Sequence, residues 1–167
     1  MIKVKIKKIN KEIETKIPVY SKEGDAGMDL VATSKVYDKD GNVTYGTNLA
    51  FEIPLGFVGL LFPRSSNAKQ TILLTNSVGV LDSGYRGEVF FKFKPSLAYF
   101  AYVDEAIDAD DFDLVLPAQK ETYYSDYNVG DRIGQLVILP YPQVEFEEVE
   151  ELSESFRGAT GFGSSGN

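Results

Sequence analysis

The chain has 167 residues, with 17 Lys and Arg against 25 Asp and Glu for a net charge of −8, and 43% hydrophobic content. That length suits one domain with a single core. It contains no Cys, His or Trp, which excludes disulfides, thiolate nucleophiles, Ser–His dyads and the usual zinc sites; the acidity argues against a general nucleic-acid or anionic-membrane surface.

In chain order, Met1–Lys11 alternates Ile2, Val4 and Ile6 with Lys3, Lys5 and Lys7, the period of a half-buried strand, predicted over Val4–Ile9. No apolar run is long enough for a signal peptide or a membrane-spanning helix, so a soluble, cytoplasmic protein is expected (host cytoplasm if the source is viral). Gly24–Leu30 reads as a Gly-rich turn carrying Asp29, which could help hold a hydrated Mg²⁺ or simply fix the turn. Asp38-Lys-Asp-Gly-Asn42 lies between Val36/Tyr37 and Val43/Tyr45 and predicts a hairpin turn. Its similarity to the start of a calcium loop lacks the later ligands and the flanking helices.

Further strands are predicted over Leu49–Ile53, Phe57–Phe62, Thr71–Leu74, Glu88–Lys94, Asp113–Leu116 and Ile133–Leu139, with Gly, Pro, Asn or Asp at most breaks. Helical periodicity is weak, best over Tyr99–Ile107. Many short strands with little helix predict an all-β sandwich, jelly roll or barrel. An acidic run fills Asp104–Asp113, and a second acidic stretch, Phe146–Glu154, leads into a Gly/Ser-rich tail from Arg157 to Asn167. That tail has too little apolar content to fold alone. The expected organisation is one β-rich domain over residues 1–144, with an insertion at about 95–128 and a C-terminal arm over 145–167.

The four arginines are the sharpest chemical clue. Arg64 precedes Ser65-Ser66, Arg86 precedes Gly87, Arg132 follows Gly130-Asp131, and Arg157 precedes the tail. A guanidinium fork beside Gly or Ser suits phosphate, because backbone amides and hydroxyls can reach the same oxygens. A single such Arg more often ends a strand or caps a turn; four together favour phosphate. Gly79–Gly87 reads as a tight hairpin holding Asp82, Tyr85 and Arg86. Its backbone could read a flat polar ring while Asp82 orients or deprotonates a water, although a turn Asp more often bonds its own backbone.

Five segments in order complete the pattern: Ala26-Gly-Met-Asp-Leu30, Pro63-Arg-Ser-Ser-Asn67, Asn76–Gly87, Gly130-Asp-Arg-Ile-Gly-Gln135 and Arg157–Gly166. The ordered set resembles the trimeric dUTP pyrophosphatases (dUTPases) across nearly the whole chain. The resemblance implies a distorted jelly-roll subunit and a homotrimer with shared active sites. It also implies Mg²⁺-dependent hydrolysis of dUTP to dUMP and pyrophosphate, which limits uracil incorporation into DNA and supplies dUMP for thymidylate synthesis.

On that resemblance Asp82 is the general base for the water attacking the α-phosphorus. Asn76, Gly79 and the following backbone, with Leu81, read uracil, and Tyr85 lies under the deoxyribose. Arg64, Ser65, Ser66 and Gln135 contact phosphates. From the tail, Arg157 reaches the γ-phosphate, Phe162 stacks over uracil, and Gly163, Ser164 and Ser165 close the site. Asp29 links through water to a Mg²⁺ held mainly by the triphosphate. Arg86 and Arg132 are expected in structural or subunit-contact roles.

Met28 replaces the aromatic residue common before the motif Asp, while Ser66 and Gly134 stand where Gly and Ala are frequent. The stretch from Phe93 to Val129 is longer than usual, as in some phage enzymes, and leaves a surface excursion, a trimer embellishment or a protein-partner site open. The alternatives to dUTP hydrolysis are a dCTP deaminase-like enzyme sharing the fold and a catalytically weak regulatory binding protein.

Overall fold

The computed structural model describes residues 2–96 and 125–159. Ten strands occur among them: β1 (Lys5–Lys8), β2 (Met28–Val31), β3 (Ser34–Tyr37), β4 (Val43–Gly46), β5 (Leu49–Glu52), β6 (Phe57–Phe62), β7 (Ile72–Leu74), β8 (Gly79–Leu81), β9 (Phe90–Pro95) and β10 (Arg132–Pro140). The one helical element among the described residues is a 3-10 turn over Ser65–Lys69. The all-β expectation therefore holds. No helix among the described residues is long and apolar enough to cross a membrane. The predicted strand Asp113–Leu116 and the weak helix Tyr99–Ile107 lie outside the described residues.

The strands form two four-stranded antiparallel sheets, β2-β10-β6-β8 and β3-β4-β9-β7, plus the pair β1-β5. β10 is the longest strand, and its inward positions Ile133, Gly134 and Leu136 are buried. Leu30, Leu61, Leu81, Ile133 and Leu136 of the first sheet share one apolar cluster with Val43, Tyr45, Phe91 and Phe93 of the second. Apolar burial of this kind contributes roughly 25 cal/mol per Å², which is what holds two amphipathic sheets face to face.

The sheets pack tightly where Gly134 meets Phe91. A Cβ at residue 134 would run into the Phe91 ring. Gly134, in a position where the resemblance leads one to expect Ala, is therefore matched to a bulky aromatic on the facing strand.

The β3–β4 hairpin turns where predicted. Asp38 accepts hydrogen bonds from the backbone of Asp40 and Asn42 and from the Asn42 amide, and its carboxylate pairs with Lys92 Nζ at 2.9 Å. Lys92, followed by Asn42, holds the Asp38 carboxyl well below its ordinary value.

Two local expectations are corrected. Asp29 is not in a turn but on β2, paired with Gln135 of β10; the strand has only four residues, too few for alternation to stand out against the preceding glycines. The stretch Gly79–Gly87 is not a closed hairpin. β8 pairs with β6, and after Leu81 the chain crosses to the other sheet to resume as β9, beside β4 and β7.

Candidate active site

One cluster assembles on β2, β10 and the end of β6. Asp29 Oδ1 accepts from Arg64 Nε at 2.7 Å and from Gln135 Nε2 at 3.3 Å, and Oδ2 accepts from Arg132 Nη1 at 3.2 Å. The Asp29 and Arg64 side chains are only about a quarter exposed, so their charge-assisted bond is shielded from full screening. Arg64 Nη1 also donates to Ser66 Oγ at 3.2 Å. Ser65 begins the 3-10 turn and is exposed. Val19, Ser21, Asp25, Gly27 and Val137 complete a cleft over the cluster.

The cluster depends on a bulge. The β10–β2 register shifts between Arg132 and Gly134, so one extra residue, the buried Ile133, is accommodated. In an unbroken strand residues 132 and 135 point to opposite faces. The bulge turns both toward Asp29. This brings Arg132 into the candidate phosphate site, where the sequence reading assigned it a structural or subunit-contact role. Its place in the fourth motif was a usable signal; the bulge was not visible.

The second group surrounds the β8 terminus. Leu81 is buried, Asp82 is exposed just beyond it, and Asp82 lines a shallow hollow with Phe57, Val80, Ser83 and Tyr141. The Asp82 carbonyl accepts from the Tyr85 amide at 3.1 Å. Arg86 Nη1 donates to the Ser83 and Tyr85 carbonyls at 2.6 and 2.8 Å, which supports the structural role expected of Arg86. Tyr85 is 45% exposed, with its hydroxyl donating to the Glu88 carbonyl at 3.0 Å. Asn76 stands beside Gly79, where a Cβ would lie 3.4 Å from Asn76 Nδ2 and 3.0 Å from Leu61 Cβ. Gly79 is buried, paired with Leu61 and close to an amide side chain.

The two groups do not meet within the chain. Asp29 pairs with Gln135, which pairs with Phe62; Leu81 pairs with Gly59, three residues further along β6. Three inter-strand spacings and three residue steps separate Asp29 from Leu81 by about 17 Å. Arg157 is exposed in a turn closed by Gly158 N donating to the Ser155 carbonyl at 3.1 Å. Phe162, Gly163, Ser164 and Ser165 lie outside the described residues. No group of three acidic side chains suited to a metal ion occurs among the described residues.

Asn67, the last residue of the second motif, was given no role there; its amide Nδ2 donates to the Ile72 carbonyl at 3.0 Å, and its Oδ1 accepts from the hydroxyl of Tyr127, a residue outside every motif, at 3.3 Å. No motif spacing marks a lone Tyr three residues before the fourth motif.

Comparison with known proteins identifies the family. The family model described as dUTPase matches residues 14–97 and 118–166. A deoxyuridine 5'-triphosphate nucleotidohydrolase of Nautilia profundicola is 39% identical, covering 99% of both chains. One from Corynebacterium glutamicum is 36% identical over 98% of this chain and 94% of its own. Among solved structures, a variant of the dUTPase of Staphylococcus bacteriophage 80alpha with dUpNHpp superposes with a TM-score of 0.72 at 28% identity, covering all of both chains.

Proposed function

The chain belongs to the dUTPase family, and on that premise we propose that it is a dUTP diphosphatase, hydrolysing dUTP to dUMP and pyrophosphate. The observation that carries the reading is the pair of guanidinium groups, Arg64 and Arg132, fixed by the single Asp29 carboxylate at a cleft. An acidic protein repels a triphosphate at long range, and preset cations offset that repulsion where charge builds in the reaction. Ser65, Ser66 and Gln135 add hydroxyl and amide donors to the same oxygens.

Around β8, Asn76, Gly79 and the Leu81 backbone form the uracil-reading surface, and the exposed Tyr85 ring packs under the deoxyribose, where a 2'-hydroxyl would collide. Asp82 orients a water toward the α-phosphorus and takes its proton as the new P–O bond forms and pyrophosphate leaves. Neither His nor Cys is needed for a water nucleophile. Arg157 and the tail residues Phe162, Gly163, Ser164 and Ser165 close over the substrate, excluding water and completing the site for the correct ligand.

The donor set suits Mg²⁺ held mainly by the triphosphate. Asp29 already accepts three N–H donors, and a carboxylate has about four acceptor positions, so it has room for a water-mediated link and not for a dedicated cage. Bound there, Mg²⁺ neutralises charge on the phosphate oxygens.

The same geometry supports sites shared between subunits, and with the family resemblance a homotrimer. The Asp82 group and the Arg64 cluster stand too far apart in one chain to grip one nucleotide, so the second group is supplied by a neighbouring copy. The arm agrees: Phe146, Leu152 and Phe156 are 92%, 89% and 112% exposed on the single subunit, and such apolar side chains call for cover. Residues 1–144 form the catalytic domain, residues 145–167 the arm, and the span of about 95–128, which includes the unmatched residues 98–117, is an insertion. The protein acts in the cytoplasm.

Incubation with dUTP and separately with dCTP, both with Mg²⁺, tests the reading. Pyrophosphate and dUMP from dUTP alone are expected. A deoxyuridine product from dCTP would mean a deaminase, and tight binding of dUTP with no turnover would mean a regulatory protein.

A further inference from the structure

Tyr127 lies outside the five motifs, in the core just after the described chain resumes at residue 125. Its backbone is locked twice by one side chain: Tyr127 N donates to Tyr45 Oη at 3.0 Å, and Tyr45 Oη donates to the Tyr127 carbonyl at 2.9 Å. Just before it, Asp126 accepts from Lys35 Nζ at 2.7 Å and from the Tyr37 hydroxyl at 2.6 Å. Ser125 and Ser96, which flank residues 97–124 in the sequence, both bond the Thr71 backbone. Tyr127 is therefore pinned on several sides before its side chain reaches anything.

From that fixed base the nearly buried Tyr127 ring extends to the 3-10 turn, donating to Asn67 Oδ1. Asn67 N in turn donates to the Arg64 carbonyl at 2.9 Å, closing the turn on the residue whose guanidinium meets Asp29. We propose that Tyr127 is a positioning residue for the triphosphate site: its phenol, held by the Ser125–Tyr127 segment, sets the 3-10 turn and thereby the Arg64 guanidinium. The inference rests on the dUTP-hydrolysing reading of the cluster and adds a residue outside its motifs.

Two further observations agree. Burial pushes the Tyr127 phenol above its ordinary value, against the opposing influence of the Ser66 hydroxyl and the Arg64 charge, so the group stays a neutral donor at working pH. The Ser66 hydroxyl, which accepts from Arg64 Nη1, bears on the phenol as well.

The test is a double-mutant cycle. Tyr127→Phe keeps the ring and its packing and removes only the hydroxyl, a change worth about one neutral hydrogen bond, or roughly fivefold. With dUTP and Mg²⁺, KM is expected to rise about fivefold while kcat stays within about twofold, because the phosphates are gripped less well and the chemistry at Asp82 is untouched. In an Arg64→Lys background the same substitution should change KM by less than about 1.5-fold, since the group it positions is gone. Asn67→Ala, which removes the acceptor, should reproduce the KM rise and add nothing to it in the double variant.

Equal effects of Tyr127→Phe in both backgrounds would overturn the positioning role, as would an unchanged KM with only a lowered melting temperature. A wild-type chain that fails to turn over dUTP would instead remove the underlying reading, and the inference with it.

Discussion

Asp29 is held by three donors, and Asp29→Asn separates two accounts of what it does. The substitution keeps the shape and one acceptor oxygen but removes the charge that fixes Arg64 and Arg132. The Arg64 bond is about three-quarters shielded and the Arg132 bond is more exposed. A hydrogen bond to a charged group contributes about 1.5–3 kcal/mol when well protected, and an exposed ion pair about 0–1. With partial screening and the retained acceptor, the loss should be about 1–2 kcal/mol. At about 2–4 °C per kcal/mol for a chain of this size, the melting temperature should fall by roughly 2–8 °C at fixed protein concentration. The loosened Arg64 should raise KM for dUTP roughly tenfold, equivalent to about 1.4 kcal/mol. The assay is dUTP turnover across a Mg²⁺ titration. If Asp29 chiefly anchors arginines, the half-saturating Mg²⁺ concentration should move less than about twofold. An unchanged KM at saturating Mg²⁺, with a many-fold higher Mg²⁺ requirement, would refute the anchoring argument and make Asp29 chiefly a metal-side residue.

Two other predictions concern packing and pH. Gly134→Ala should destabilise by about 1–3 kcal/mol, the usual cost of overpacking, because its methyl meets the Phe91 ring; combining it with Phe91→Leu should cost less than the two changes summed, read by thermal denaturation. Asp38 has a depressed folded-state pKa, so the stability it contributes is fully present above its unfolded value of about 3.9 and is lost as pH falls below that toward the folded one. The stability difference between wild type and Asp38→Ala should therefore be largest near neutral pH and shrink below about pH 4, read as urea midpoints across pH; a difference that grows on acidification would contradict the sign.

Much of the fold is legible in the sequence because several strands carry their period openly. Phe57–Phe62 is bounded by Gly56 and Pro63 and matches its predicted limits, and Ile133–Leu139 differs from β10 by one residue at each end. The Asp38–Asn42 turn announces itself by composition. The elements that escape are short or irregular. β2 and β8 span four and three residues, at most two periods of alternation, and both lie among glycines that read as turns. The bulge at Ile133 leaves no compositional mark, yet it decides that Arg132 joins Gln135 at Asp29. Tyr127 acts through contacts separated by 60 and 82 residues along the chain, which local pattern does not encode. The ordered motifs carried the site by resemblance, and the geometry adds how far apart in one subunit their two halves stand.

That separation makes subunit mixing the most direct test. Asp82→Asn and Arg64→Ala chains, each inactive alone, are unfolded together, refolded at equal concentration and assayed for pyrophosphate release from dUTP with Mg²⁺. If Asp82 and Arg64 of one site come from different copies, random mixing restores about a quarter of the sites, and the mixture recovers roughly a quarter of wild-type activity in an assembly of three times the 18.5 kDa chain mass. A mixture no more active than its two parents would contradict the shared site and place both groups in one chain.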